Sequence, residues 1–234
     1  MPLTALLDGA VLAEKTGDAP KVLALHGWGR TRADWLPALH RPALAVDLPG
    51  FGASPPPPAA WGSRAYAELL APLLADGGWT VAGHSFGGRI AVQLASGWPD
   101  LVSRVVLTGV PLLRRTSAGK PPLAFRLAKR ANSLGLLSDA SMEAQRRKRG
   151  SEDYRAAQGV MRDTLVKLVN EDYRALLPGI VAPVELVWGA KDTAATLDVA
   201  REAVDLLGTA TLTVSETSGH LLDEALYALL RERL

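Results

Sequence analysis

The chain has no cysteine, so disulfides, thiolate metal sites and cysteine nucleophiles are excluded. It has no run of about 18 apolar residues, the length a membrane-spanning helix needs. Histidine is scarce: His26, His40, His84 and His220 stand far apart, and no two are at metal-ligand spacing. No metal or organic cofactor is therefore expected. An excess of one charge sign is also missing. The net charge of +2 implies no polyelectrolyte partner, and nucleic acid is not an expected ligand. The opening residues MPLTALLDGA lack a basic stretch and carry Asp8, unlike a signal peptide, so a soluble, cytoplasmic protein is the expectation.

What is present is a sizeable apolar fraction, 48% of 234 residues, enough for one α/β core with an insertion. Short runs, Val22–Leu25, Ala43–Val46, Thr80–Ala82, Val105–Leu107, Glu185–Trp188 and Thr211–Val214, are mostly apolar throughout rather than alternating. That pattern belongs to parallel strands covered on both faces. Helical patterns lie between them at about 64–74, 86–98, 196–207 and 222–233, with Pro99 and Gly208 as stops. Thr4–Glu14 reads as an opening hairpin around Asp8-Gly9. Alternating strands and helices predict a doubly wound, mostly parallel sheet. Residues 1–111 and 179–234 form its expected core.

The segment from Leu112 to Pro178 breaks the alternation. Its 67 residues carry only helical patterns, at about 122–133, 139–149 and 153–170. Such an insertion between two strands of one sheet predicts a lid over the sheet's C-terminal edge, where open α/β sheets bind ligands. Residues 111–182 hold 14 Lys and Arg against 7 Asp and Glu, densest at Arg146–Arg149 and Arg114-Arg115. A solvated helix face explains this charge. The alternative is a basic surface for an anionic substrate or an acidic carrier protein.

Gly83-His84-Ser85-Phe86-Gly87 lies between a strand pattern and a helix pattern. A G-x-S-x-G turn in that position holds its serine in a strained conformation, clear of the sheet and beside a helix N-terminus. Serine needs a base, and the base needs an orienting acid. His220 follows the last strand in Ser218-Gly219-His220. Asp192 follows the preceding one in Trp188-Gly189-Ala190-Lys191-Asp192. All three therefore belong at one sheet edge, in the order Ser85, Asp192, His220. An oxyanion hole would use the amides of Phe86 and Trp28, the latter flanked by Gly27 and Gly29.

Each residue also has a plainer reading. Ser85 could sit in an ordinary turn, His220 in the core, and Asp192 at a helix N-cap beside Thr193, with Asp198 as the substitute acid. His26 suits a structural hydrogen bond near the oxyanion loop. His84 and Gly27 are candidates to shape the substrate pocket, His40 is a solvated loop residue, and Asp47 braces the turn Gly50–Gly52.

These motifs together, with His26-Gly27-Trp28-Gly29 and Asp47-Leu48-Pro49-Gly50-Phe51-Gly52, resemble the α/β-hydrolases of the esterase, C–C hydrolase and epoxide hydrolase group. The serine-esterase type is the nearer match, and the chain is similar to carboxylesterases that cleave pimeloyl-acyl-carrier-protein methyl ester. A serine at position 85 departs from haloalkane dehalogenases and epoxide hydrolases, which place an aspartate there. The resemblance implies a serine hydrolase acting on small-molecule acyl esters or thioesters through an acyl-enzyme. It leaves two alternatives: a C–C hydrolase or lyase using the same triad, and a ligand-binding protein with little turnover.

Overall fold

The computed structural model describes residues 3–114 and 152–234. The helices expected at 122–133 and 139–149, and the cluster Arg146–Arg149, lie outside the described residues. Eight strands form one sheet: β1 (Thr4–Leu6), β2 (Val11–Thr16), β3 (Val22–Leu25), β4 (Ala43–Asp47), β5 (Trp79–His84), β6 (Val102–Thr108), β7 (Val184–Gly189) and β8 (Ala210–Ser215). Their spatial order is β1-β2-β4-β3-β5-β6-β7-β8. The first two pairings, β1–β2 and β2–β4, are antiparallel, and every later neighbour is parallel. From β3 the chain moves out to β4, then crosses back to β5 on the other side. That reversal is the topological switch point of the sheet, where a crevice opens at the strand ends.

Side-chain alternation explains the continuous apolar runs. Leu23 and Leu25 enter a core on one face with Tyr66, Leu70, Ile90 and Val199. Val22 and Ala24 enter a second core on the other face with Trp35, Leu226 and Leu230. Helices α1 (Ser63–Leu70), α2 (Phe86–Gly97) and α5 (Leu197–Leu206) supply the first core and α6 (Glu224–Arg231) the second. Burying each large aliphatic side chain contributes roughly 1.5–3 kcal/mol.

Some elements differ from the sequence reading. The helix expected over 64–74 stops at Leu70 and tightens into a 3₁₀ turn, Ala71–Leu74. Pro72 has no amide to donate back, so an α-helix cannot continue through it. The single helix expected over 153–170 is two: α3 (Glu152–Ala156) and α4 (Gly159–Leu168). Gly159 adopts φ +50°, which a continuous helix does not allow. The opening hairpin forms, with positive φ at Leu7 and Asp8 as well as Gly9.

Candidate active site

Ser85 stands between β5 and α2 at φ 49°, ψ −109°, a strained conformation for a residue with a Cβ. The turn survives because its neighbours have no side chains. A Cβ on Gly83 would lie 2.4 Å from Gly88 Cα, and one on Gly87 would lie 2.2 Å from the carbonyl oxygen of Leu25. Backbone hydrogen bonds lock the turn from three directions. Ser85 N–H donates to Thr108 O at 3.0 Å, Gly87 N–H to His26 O at 3.0 Å, and Gly88 N–H to Ser85 O at 3.1 Å. The amide of Phe86, first residue of α2, has no carbonyl of its own helix within reach.

The ends of β7 and β8 bring two further residues to this edge. His220 Nε2 lies 3.2 Å from Ser85 Oγ, and His220 Nδ1 lies 2.8 Å from Asp192 Oδ2. Asp192 is buried, and its other oxygen, Oδ1, accepts from the amides of Ala194 and Ala195, both at 2.8 Å. The structure thus places the capping bonds and the histidine contact on opposite oxygens of one carboxylate. With Oδ1 tied to the loop, Oδ2 is aimed at the imidazole. The capped turn is a loop, since α5 begins only at Leu197 behind Thr196. Asp198 is elsewhere, exposed on α5 and 3.4 Å from Arg201.

Residues not singled out in the sequence hold this arrangement. Gly109, with φ +58°, ends β6 against the pair. A Cβ there would lie 3.2 Å from both Asp192 Oδ2 and His220 Nδ1. Ser218 is buried beneath the His220 loop, donates to Asp223 Oδ1 at 2.8 Å and meets Ser215 Oγ at 2.6 Å. The same Asp223 oxygen caps α6 by accepting from Leu226 N. An Asp just before an apolar helical pattern is a readable N-cap signal. The link from Ser218 to that cap had no such signal.

The other histidines divide by environment. His26 is buried. Its Nε2 accepts from Leu48 N at 2.9 Å and its Nδ1 donates to Gly27 O at 2.7 Å. Burial drives its pKa down to about 4. His84 Nε2 donates to the backbone carbonyl of His220 at 2.9 Å. Burial, then the neighbouring His220, lower its pKa to about 4 as well. His84 Nδ1 is buried without a partner among the described residues, packed where a Cβ on Gly27 would stand 2.7 Å away. His40 is exposed in a loop. Asp47 is buried, binds the amides of Arg32 and Ala53, and pairs with the Arg32 guanidinium at 2.6 Å.

Three cavities meet in sequence at this edge. An outer cavity of about 360 Å³ is bordered by Gly27, His84, Glu152 and Leu221. It shares Trp28, Ser85, Asp153 and His220 with an inner cavity of about 190 Å³, whose walls include Phe86, Leu165 and Leu168. Trp28 packs edge-on against Phe86, with ring centroids 5.6 Å apart. The inner cavity in turn shares Arg89, Pro111, Val169 and Ala194 with a third, of about 280 Å³. Gly27 and His84 therefore border the outer cavity only, and the His84 ring, 1% exposed, offers it little surface.

A family model described as the alpha/beta hydrolase family matches residues 22–228. The chain belongs to the alpha/beta hydrolase family. A pimeloyl-[acyl-carrier protein] methyl ester esterase of Aromatoleum aromaticum is 29% identical over 239 residues, covering 86% of this chain and 91% of that protein. Esterase Rv0045c of Mycobacterium tuberculosis is 42% identical over 115 residues, which are 44% of this chain and only 37% of that esterase. The crystal structure of that esterase superposes with a TM-score of 0.67 at 25% identity, covering 99% of this chain and 89% of the other. An esterase from Exiguobacterium antarcticum shares the fold, with a TM-score of 0.69 at 20% identity and coverage of 93% and 91%. Among the described residues no helix is long and apolar enough to cross a membrane.

Proposed function

We propose that this hydrolase-family protein cleaves carboxylic esters or thioesters of acyl substrates, with Ser85 as nucleophile, His220 as general base and acid, and Asp192 as the group that orients the imidazole. The observation that carries the reading is the continuous contact from Ser85 Oγ to His220 Nε2, 3.2 Å, and from His220 Nδ1 to Asp192 Oδ2, 2.8 Å. Both lengths suit proton transfer through one ring held in one tautomer.

In the forward step Ser85 Oγ forms a bond to the acyl carbon and its proton passes to His220 Nε2. The carbonyl oxygen becomes an oxyanion held by the amides of Phe86 and Trp28, donors that each contribute on the order of 2.7–4 kcal/mol in related chemistry. The tetrahedral species collapses, the bond to the alcohol or thiol breaks, and the leaving group takes the proton from Nε2. Water then adds to the acyl-enzyme, giving a proton to Nε2, which returns it to Ser85 as the acid departs. Strain at Ser85 supports this role, because it keeps the hydroxyl at the junction of the outer and inner cavities. The relatives described as esterases support the bond type, and the pimeloyl-[acyl-carrier protein] relative supports acyl substrates. Residues 112–178 act in this reading as a lid, since α3 and α4 supply Asp153, Leu165 and Leu168 to the cavity walls.

The test is Ser85→Ala assayed on phenyl esters, beside labelling of the parent with a fluorophosphonate. Turnover should fall at least about 10⁴-fold with an unchanged melting temperature, and the label should map to Ser85. A variant that keeps a tenth of the parent rate, or a parent that hydrolyses esters yet resists the label, would overturn the nucleophile assignment.

A further inference from the structure

Arg89 lies one helical turn beyond Ser85 on α2. Residues four apart share a helix face, and side chains lean back towards the N-terminus, so Arg89 is directed towards the serine end of its helix. It stands at the shared wall of the inner and third cavities. One nitrogen, Nη1, donates to Leu168 O, and the guanidinium lies 6.0 Å from the centroid of the Tyr173 ring. A guanidinium has five N–H groups in a fork suited to a carboxylate, so that single bond leaves donors for a ligand.

The third cavity also contains Thr196. Thr196 is the N-cap residue of α5, yet its hydroxyl makes no capping bond. Its Oγ1 is buried without a partner among the described residues. A buried hydroxyl left in this way is costly unless something else supplies a partner. Two acidic residues stand near Arg89. Glu171 borders the third cavity and keeps its negative charge, its oxygens accepting from Ser63 N at 2.9 Å and from the Tyr173 hydroxyl. Asp153 borders the outer and inner cavities, at the opposite junction. With Arg114 on its border as well, the third cavity has two positive charges against the one of Glu171.

We propose that the inner and third cavities take an acyl chain ended by a carboxylate, which Arg89 binds through its guanidinium and Thr196 through its hydroxyl once that side chain turns from its buried position towards the cavity. The inference rests on the ester-hydrolase reading and names its substrate class: monoesters or monothioesters of short dicarboxylic acids. The apolar walls, Leu165, Leu168, Pro111 and Val169, accept the methylene chain. The two cavities, of about 190 and 280 Å³, hold a short acyl chain, and a six-carbon chain is the first length to test.

The experiment compares phenyl hydrogen adipate with phenyl hexanoate, which have the same chain length, and measures adipate binding by calorimetry. For the parent, kcat/KM should favour the acid ester at least about 10-fold. Arg89→Gln should bring that ratio near one, Arg89→Lys should restore part of it, and Thr196→Val should lower it about 2–5-fold. Adipate should bind the parent and bind Arg89→Gln at least 10-fold more weakly. A parent ratio of one or less, or a ratio unmoved by both Arg89→Gln and Thr196→Val, would sink the proposal and leave Arg89 as a tether for Leu168. If Arg89→Gln does not fold, Thr196→Val and adipate binding decide the matter. Hydrolysis of phenyl hexanoate without acid preference defeats the subsite and keeps the ester reading. Adipate binding that depends on Arg89, with neither ester cleaved, keeps the subsite and defeats the ester reading. Failure of both turnover and binding defeats both.

Discussion

Around Ser85 the backbone leaves no room for one more methyl group, whereas the helices facing it are attached through side chains. A Cβ at Gly83, Gly87 or Gly88 would fall 2.1–2.4 Å from its nearest atom. By contrast α4 and the chain after it are joined to the core through side chains: Leu168 and Tyr173 pack into it, and individual polar contacts add to them. Trp61 N donates to Thr164 Oγ1, Ser63 N to Glu171, and Lys167 Nζ to Ala60 O. Close backbone packing fixes the position of a nucleophile to fractions of an ångström, because moving it means moving a strand. Side-chain tethers can be exchanged one at a time without disturbing the sheet. The proposed nucleophile therefore sits on the part of the molecule that resists alteration, and the cavity walls supplied by α4 on the part that tolerates it.

The strongest way to break this contrast is a matched pair of glycine substitutions. Gly87→Ala places a methyl group 2.2 Å from Leu25 O and 2.7 Å from His26 O, both backbone atoms that cannot swing aside. The loss should be about 3 kcal/mol or more, with activity falling in parallel as the turn distorts. Gly179→Ala is the partner. Gly179 ends the 3₁₀ turn Leu177–Gly179, and nothing lies within 4 Å of its added Cβ. That variant should be neutral or gain up to about 1 kcal/mol by restricting the unfolded chain. Urea unfolding of the two proteins checks the pair, and equal midpoints would show that the elbow yields more readily than its packing implies.

Acid sensitivity sharpens the comparison, because the two buried histidines both belong to the elbow side. His26 and His84 have folded pKa values of about 4, below the 6.5 of an exposed imidazole, burial being the main cause for each. Between pH 6.5 and 4 the unfolded chain binds protons that the folded protein refuses. The associated stability is complete above pH 6.5 and is lost as the pH falls towards 4, by up to about 3 kcal/mol per histidine. His84→Gln can keep a donor to the His220 carbonyl while removing one titration. Its unfolding free energy should fall less steeply than the parent's between pH 7 and 4.5, by about one proton. Identical slopes in His84→Gln and the parent would assign the acid loss to other groups.

The strands and the Ser85 turn were legible because their signals are local. Apolar runs between turn residues gave β3 with its observed ends, and G-x-S-x-G marked a turn where only small neighbours fit. Asp192 and His220 could be placed because each follows a strand, and every parallel strand of such a sheet ends at the same edge. What escaped depends on contacts between distant segments. Gly109 against the Asp192–His220 pair, Ser218 beneath its loop and Arg32 on Asp47 have no sequence pattern of their own. Arg89 carries no sequence signal either, because a lone arginine on an amphipathic helix ordinarily faces solvent. The break between α3 and α4 has no clear signal for a different reason, since a single glycine inside a helical pattern is usually tolerated.

The smallest effect expected is on the tethered side. Thr164 is buried on α4, and its Oγ1 accepts from Trp61 N at 3.1 Å. Thr164→Val keeps the shape and removes the acceptor, leaving one amide of the 60–62 loop without that bond. The cost should be about 1 kcal/mol, a shift of roughly 2–4 °C in melting temperature for a domain of this size. Leu165 and Leu168, on the same helix, line the inner cavity, so a loosened α4 should raise KM for a six-carbon acyl ester by a few-fold. An acetyl ester makes little use of those walls and should keep its KM. Amide exchange should quicken at Trp61 and along α4 while staying protected in β5. If exchange quickened equally in β5, the two regions would unfold as one unit, and the division between a fixed elbow and an adjustable wall would not hold.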